Sequence, residues 1–161
     1  MTYSLAGINK KTERIKQFIL TEDMQVKGDE IKNAVIKFMQ FKQCVGNIGN
    51  DIHYLAAHLA NSFIENKHGV TIDLSKPSGS SGLDIELDDL AAEIKTTIPH
   101  KPNDFGAAQK REIKKDLERL ELCSEKYKYF FVIDSNTERI LRSKYIKEYP
   151  SVRVINLLKE T

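Results

Sequence analysis

Residues 82–97, Gly-Leu-Asp-Ile-Glu-Leu-Asp-Asp-Leu-Ala-Ala-Glu-Ile-Lys-Thr-Thr, constrain the fold more than any other stretch. Leu83, Ile85 and Leu87 alternate with Asp84 and Glu86. After Asp88-Asp89, Leu90, Ala92 and Ile94 alternate with Ala91, Glu93 and Lys95. Period-two alternation on both sides of a short polar break predicts a β-hairpin with one apolar face. A two-residue turn at Asp88-Asp89 sets Leu87 opposite Leu90 and carries the register back to Asp84 opposite Glu93. Directly opposed residues of an antiparallel pair lie about 4.5–5.5 Å apart. Side chains two apart share a face, so Lys95 points with Glu93. The spacing thus predicts two carboxylates and an ammonium on one side. Leu83, Ile85, Leu87, Leu90, Ala92 and Ile94 are expected to face the core on the other.

Opposed carboxylates repel unless positive charge lies between them. Two acidic oxygens completed by water are a common way to hold Mg²⁺, which keeps much of its hydration shell. Such an ion polarises a phosphoryl oxygen and lowers the pKa of a bound water. Lys95 is placed to orient that water or to stabilise a pentavalent transition state. The pattern suits a phosphodiesterase site. It also suits a half-buried hairpin whose polar face is simply wet, which is common for one-sided sheets.

Gly82-x-Asp84 followed by Glu93-x-Lys95 resembles the motif of the PD-(D/E)XK nuclease superfamily, which includes restriction endonucleases and archaeal Holliday-junction resolvases. Leu83 stands where the name-giving proline would be. The resemblance implies a restriction endonuclease-like αβββαβ core with a mixed sheet, of α/β class. It implies Asp84 and Glu93 as Mg²⁺ ligands, with Mn²⁺ as a substitute, and Lys95 as the catalytic lysine.

The chain has 161 residues, 40% hydrophobic and 30% charged, which is ordinary globular composition. A net charge of +2 leaves any contact with nucleic acid to local basic clusters. Cys44 and Cys123 are far apart, so a disulfide framework is not expected. No apolar run approaches a membrane span and no secretory h-region begins the chain, so a soluble cytoplasmic protein is expected.

Residues 1–48 read as a helical segment packed on a core formed by 49–161, one compact domain overall. Asn9 to Leu20 is a helix candidate with Ile15, Phe18 and Ile19 on one side. Asp29 is a candidate cap for a second helix with Ile31, Ala34, Val35, Phe38 and Met39 at i, i+3, i+4 spacing. The pair is compatible with a helix-turn-helix and with an ordinary αα-hairpin. Asn50 or Asp51 caps a third helix whose stripe is Ile52, Leu55, Ala56, Leu59, Phe63 and Ile64. His53 and His58, five apart, do not share a face and do not suggest a metal pair. The superfamily resemblance implies Asp51 as an additional metal ligand, with Glu65 a weaker match; the alternative for Asp51 is a helix cap only.

Val70, Ile72 and Leu74 alternate with Thr71 and Asp73 and are expected as the first strand. The segment Ser75-Lys-Pro-Ser-Gly-Ser-Ser-Gly82 leads into Asp84, and Ser78, Ser80 and Ser81 are candidate phosphate contacts. Thr96 and Thr97 continue the second hairpin strand until Pro99-His100-Lys101-Pro102 stops it. His100 and Lys101 are further candidates for DNA contact. Asn103 or Asp104 is expected to cap a long helix with Phe105, Ala108, Ile113, Leu117 and Leu120 inside. Lys110, Arg111, Lys114, Lys115 and Arg119, interleaved with acids including Asp116, are expected on its outer surface. The resemblance implies that Gln109, with Lys110 beside it, lies near the site. Lys128 to Asp134 is a continuous apolar run, as a strand buried on both faces requires. Glu138 to Glu148 reads as a helix, and Val152, Val154 and Leu157 as a fifth strand.

From residue 50 onward this order is αβββαβ with a further αβ, the order that the resemblance implies. The expected function is that of a Mg²⁺-dependent endodeoxyribonuclease acting on double-stranded DNA, of the type II restriction kind. A structure-specific junction or repair nuclease is the alternative, and a non-catalytic DNA-binding module of the same fold is another. One small chain offers one site and duplex cleavage needs two, so a homodimer is expected.

Overall fold

The computed structural model describes residues 4–22, 31–74 and 82–160. Contacts group into two compact units, residues 1–51 and 52–161.

The first unit holds helix α1 (Leu5–Thr21), helix α2 (Ile31–Val45) and the start of helix α3 (Ile48–His68). Ser4 caps α1, its Oγ accepting from the Gly7 amide at 3.1 Å. Phe18 meets Phe41 with ring centroids 5.6 Å apart. The expected α2 stripe is shifted: Phe38 and Met39 are exposed, while Ala34 and Phe41 are half-buried. Asp29 lies outside the described residues. Neither Asn50 nor Asp51 caps α3. Asn47 does, its Oδ1 accepting from the Asn50 amide at 3.2 Å.

The second unit is a mixed α/β fold on a four-stranded sheet. Strands β1 (Ile85–Leu87), β2 (Leu90–Lys95), β3 (Tyr127–Val132) and β4 (Val152–Asn156) lie side by side in that order. The pair β1–β2 is antiparallel with Leu87 opposite Leu90, as the two-residue turn predicts. The pairs β2–β3 and β3–β4 are parallel. The β2–β3 connection carries helix α4 (Ala107–Leu122), and the β3–β4 connection carries helix α5 (Ser135–Lys144) and a short 3₁₀ turn at Ile146–Glu148. A last turn, α6 (Leu157–Glu160), follows β4.

Both faces of the sheet are covered. On one, Ala56, Ala60, Phe63 and Ile64 of α3 pack on Ile85, Leu90, Ala92, Ile94, Tyr129 and Phe131. On the other, Ile113, Leu117 and Leu120 of α4 and Ile140 and Leu141 of α5 pack on Ala91, Phe130, Val132, Val152 and Val154. This double cover explains the apolar run Tyr129–Val132 of β3. It also corrects the one-sided hairpin. Leu83 joins the α4 face rather than the α3 face, Leu87 is half-buried, and the side carrying Glu93 lies beneath α4.

Several boundaries differ from expectation. Residues 70–74 form no strand: Ile72 gives its amide to Asn61 Oδ1 of α3 at 2.8 Å rather than to a neighbouring strand. The described residues of the second unit therefore run αββαβαβα, and the expected fifth strand is β4, with Leu157 already in α6. Strand β2 ends at Lys95, and the Thr97 carbonyl accepts from Thr137 Oγ1 of α5 at 2.8 Å. Gly106, not Asn103 or Asp104, caps α4, with Gln109 Oε1 accepting from the Gly106 amide at 2.9 Å. Phe105 is buried ahead of the helix and Ala108 is exposed. Ser135 and Asn136 belong to α5, whose cap is Asp134, accepting from the Thr137 amide at 2.7 Å. Among the described residues no helix is long and apolar enough to cross a membrane.

Gly82 turns the chain into the hairpin with φ 90°, where L side chains are strained, and a Cβ there would stand 3.0 Å from Glu86 Oε1. That carboxylate holds the turn by accepting from the Leu83 amide at 3.0 Å. Gly82→Ala is expected to cost about 1–2 kcal/mol and to lower the Tm by about 2–8 °C, read by thermal denaturation.

Candidate active site

The register Ile85 opposite Ala92 carries Asp84 to the position across from Glu93. Asp84 sits just before β1, half-buried, and its Oδ2 accepts from the Ile94 amide at 2.8 Å. A side-chain bond thus continues the ladder where the strand has ended. Glu93, opposite Phe130 in β3, is buried at 6% exposure, and the carboxyl of Asp84 lies near enough to raise its pKa. Lys95 lies two residues further on the same face. The three residues of the sequence motif are therefore brought together.

Helix α4 adds two groups. Asp116 is buried and forms an ion pair with Lys95. Arg119 Nη1 donates to Glu93 Oε1 at 2.9 Å and to the Gly82 carbonyl at 2.6 Å, and its Nη2 stands 3.7 Å from Asp116 Oδ1. Both were expected on a solvated outer face. The stripe Ile113, Asp116, Leu117, Leu120 runs i, i+3, i+4, i+7, so the helical period itself places Asp116 inward. A carboxylate on a buried apolar stripe is rare without partners, and that signal was readable. His53 of α3, not expected at the site, has Nε2 3.7 Å from Asp84 Oδ1.

Burial pushes the Glu93 carboxyl up from an ordinary 4.5 to about 8. The charge of Asp84, its hydrogen bond and the charge of Asp116 push the same way, against Arg119. The site carries the carboxyls of Asp84, Glu93 and Asp116 against the cations Lys95 and Arg119. A proton on Glu93 balances it, and so would a cation placed between the acids. Among the described residues no three His, Cys, Asp or Glu side chains group as a metal cage. Mg²⁺ held by a carboxylate pair and water does not need one.

The remaining predicted residues lie as follows. Asp51 is buried and pairs with Lys11 within the first unit. Ser78, Ser80 and Ser81 lie outside the described residues. His100 and Lys101 are exposed in the loop after β2. Gln109 spends both ends on the backbone, accepting from Gly106 and donating to the Ile98 carbonyl at 3.0 Å. Lys110 pairs with Asp104 at 2.6 Å. A cavity of about 670 Å³ at the turn end of the hairpin, lined by Lys67, His68, Asp88, Asp89 and Tyr127 among others, includes none of the predicted site residues.

Comparison with family models, with curated proteins and with solved structures gives no match to this chain.

The folded chain holds the Glu93 proton up to about pH 8, whereas the unfolded chain releases it near 4.5. The stability that this group supplies is full at acid pH and is lost as the pH rises toward 8. Glu93→Gln removes the titration. Its Tm is expected to fall less than that of the wild type between about pH 5 and pH 8, measured in paired thermal melts.

Proposed function

We propose that this protein is a Mg²⁺-dependent endodeoxyribonuclease of the PD-(D/E)XK kind that hydrolyses phosphodiester bonds of double-stranded DNA. The observation that carries the reading is the register that sets Asp84 across from Glu93, with Lys95 two residues on in the same strand and Asp84 Oδ2 held by the Ile94 amide. A wet hairpin face is disfavoured by the burial of Glu93, because an acid without a chemical task is rarely taken out of water.

Asp84 and Glu93 are the residues that would hold the cation. Bound there, Mg²⁺ supplies Lewis acidity toward a phosphoryl oxygen and a more acidic water. Lys95 lies on the same face, where its ammonium orients the attacking water or offsets charge as it grows on the phosphorane oxygens. His100 and Lys101, exposed just past β2, are candidates for contact with the DNA backbone. Cutting both strands takes two such sites, which a homodimer supplies. Of the possible nuclease roles, we favour the type II restriction kind.

The test combines purified protein, supercoiled plasmid and branched DNA with Mg²⁺ or with EDTA. Discrete linear fragments that vanish with EDTA support a sequence-specific endonuclease, and cutting confined to branched DNA supports a junction or repair enzyme. Binding without cutting supports a non-catalytic module. Lys95→Ala is expected to slow cleavage by roughly 100-fold or more. Mg²⁺ at about 100 times its Kd is expected to stabilise the wild type by about 2.7 kcal/mol, or about 5–10 °C in Tm, with no such shift in Glu93→Ala. Equal melting temperatures with and without Mg²⁺ in the wild type would remove the metal from the reading.

A further inference from the structure

We propose that Asp116 is the positioning residue for Lys95, fixing the ammonium beside the carboxylate pair for the reaction; the inference rests on the nuclease reading above. A lysine at the end of a strand carries a flexible four-carbon stem with freely rotating donors, and alone it samples many positions. Asp116 receives Lys95 on Oδ2 and faces Arg119 with Oδ1. Arg119 is itself held by Glu93 and by the Gly82 carbonyl. The Asp116 carboxylate is thus confined from both sides, and its backbone is confined by Ile113, Leu117 and Leu120, all 0% exposed. Lys95 is tied to the most tightly packed part of α4, not to a mobile neighbour.

The stripe position adds a second argument. Packing alone is served at least as well by an apolar side chain at 116, since a buried ion pair often contributes no more than its apolar replacement. A buried carboxylate kept there, aimed at the motif lysine, has a use in where it places the charge. Asp116 is assigned no contact with the phosphate. It acts through Lys95.

The test measures cleavage of plasmid DNA with Mg²⁺ by the wild type, Asp116→Asn, Lys95→Ala and the double variant. Alongside it, ¹⁵N-detected NMR follows the Lys95 Nζ resonance, assigned by its loss in Lys95→Arg. Asp116→Asn is expected to lower kcat by about 10–100-fold, as is usual when a group orienting a site residue is removed, with KM for DNA changed by less than about 2-fold. The Nζ resonance is expected to be resolved in the wild type and broadened in Asp116→Asn. In the Lys95→Ala background, Asp116→Asn is expected to cause no further loss of rate. A wild type that cuts and an Asp116→Asn that cuts as fast overturns the inference alone. So does an equal loss in both backgrounds, which marks a structural role. A wild type that cuts no DNA overturns the nuclease reading and this inference together. If Asp116→Asn does not fold, the wild-type spectrum decides: a freely exchanging, unresolved Nζ overturns the pairing on which the inference stands.

Discussion

Covering the sheet on both faces is the constraint from which the site follows. Once α4 lies over β2 and β3, any charged side chain on that face of β2 must find its partners inside the protein. Glu93 is such a side chain. Arg119 meets it directly, while the nearby acids Asp84 and Asp116 raise its pKa, and Asp116 is in turn paired with Lys95. The same cover makes the position of α4 a determinant of the charge around Glu93, because α4 contributes the buried Asp116 and the half-buried Arg119.

The cluster is also poised between two ways of balancing its charge. With Glu93 protonated, acids and cations cancel. With Glu93 ionised, the acids exceed the cations by one negative charge, which is left for another cation to offset. Arg119 prevents that excess from being larger, and it links Glu93 to the peptide at Gly82, the entry to the hairpin. One side chain therefore bears on both the electrostatics of the acids and the path of the backbone into Asp84.

Much of this was readable in the chain. The hairpin was legible because a two-residue turn fixes register locally, and register alone brings Asp84 across from Glu93. Strand β3 was legible because the uncharged run Tyr129-Phe-Phe-Val-Ile133 suits a strand covered on both faces. The segment 70–74 misled because alternation records which side chains are half-covered, not what the amides bond; Asn61 answers for Ile72 where a strand was expected to. Helix caps were misplaced because several side chains near each start can cap. At α4 the competing acid, Asp104, is taken by Lys110 and Lys144. Asp116 and Arg119 were hidden by reading mixed charge as a wet surface, although the period through Ile113, Leu117 and Leu120 already turned Asp116 inward.

The loop that leaves Lys95 is held by its carbonyl oxygens. Ile98 is bound by Gln109, Pro102 by Arg139 at 2.5 Å and Asn103 by Lys144 at 2.8 Å, while Thr97 is bound by Thr137. The bonds come from α4 and α5 and take hold of the main chain, which every amino acid supplies alike. The outward side chains at 100 and 101 are therefore replaceable parts on a fixed mount. Substitution there can change what the loop presents to solvent while the strand end bearing Lys95 stays in place, so that the surface of the loop and the geometry of the strand end are free to vary separately.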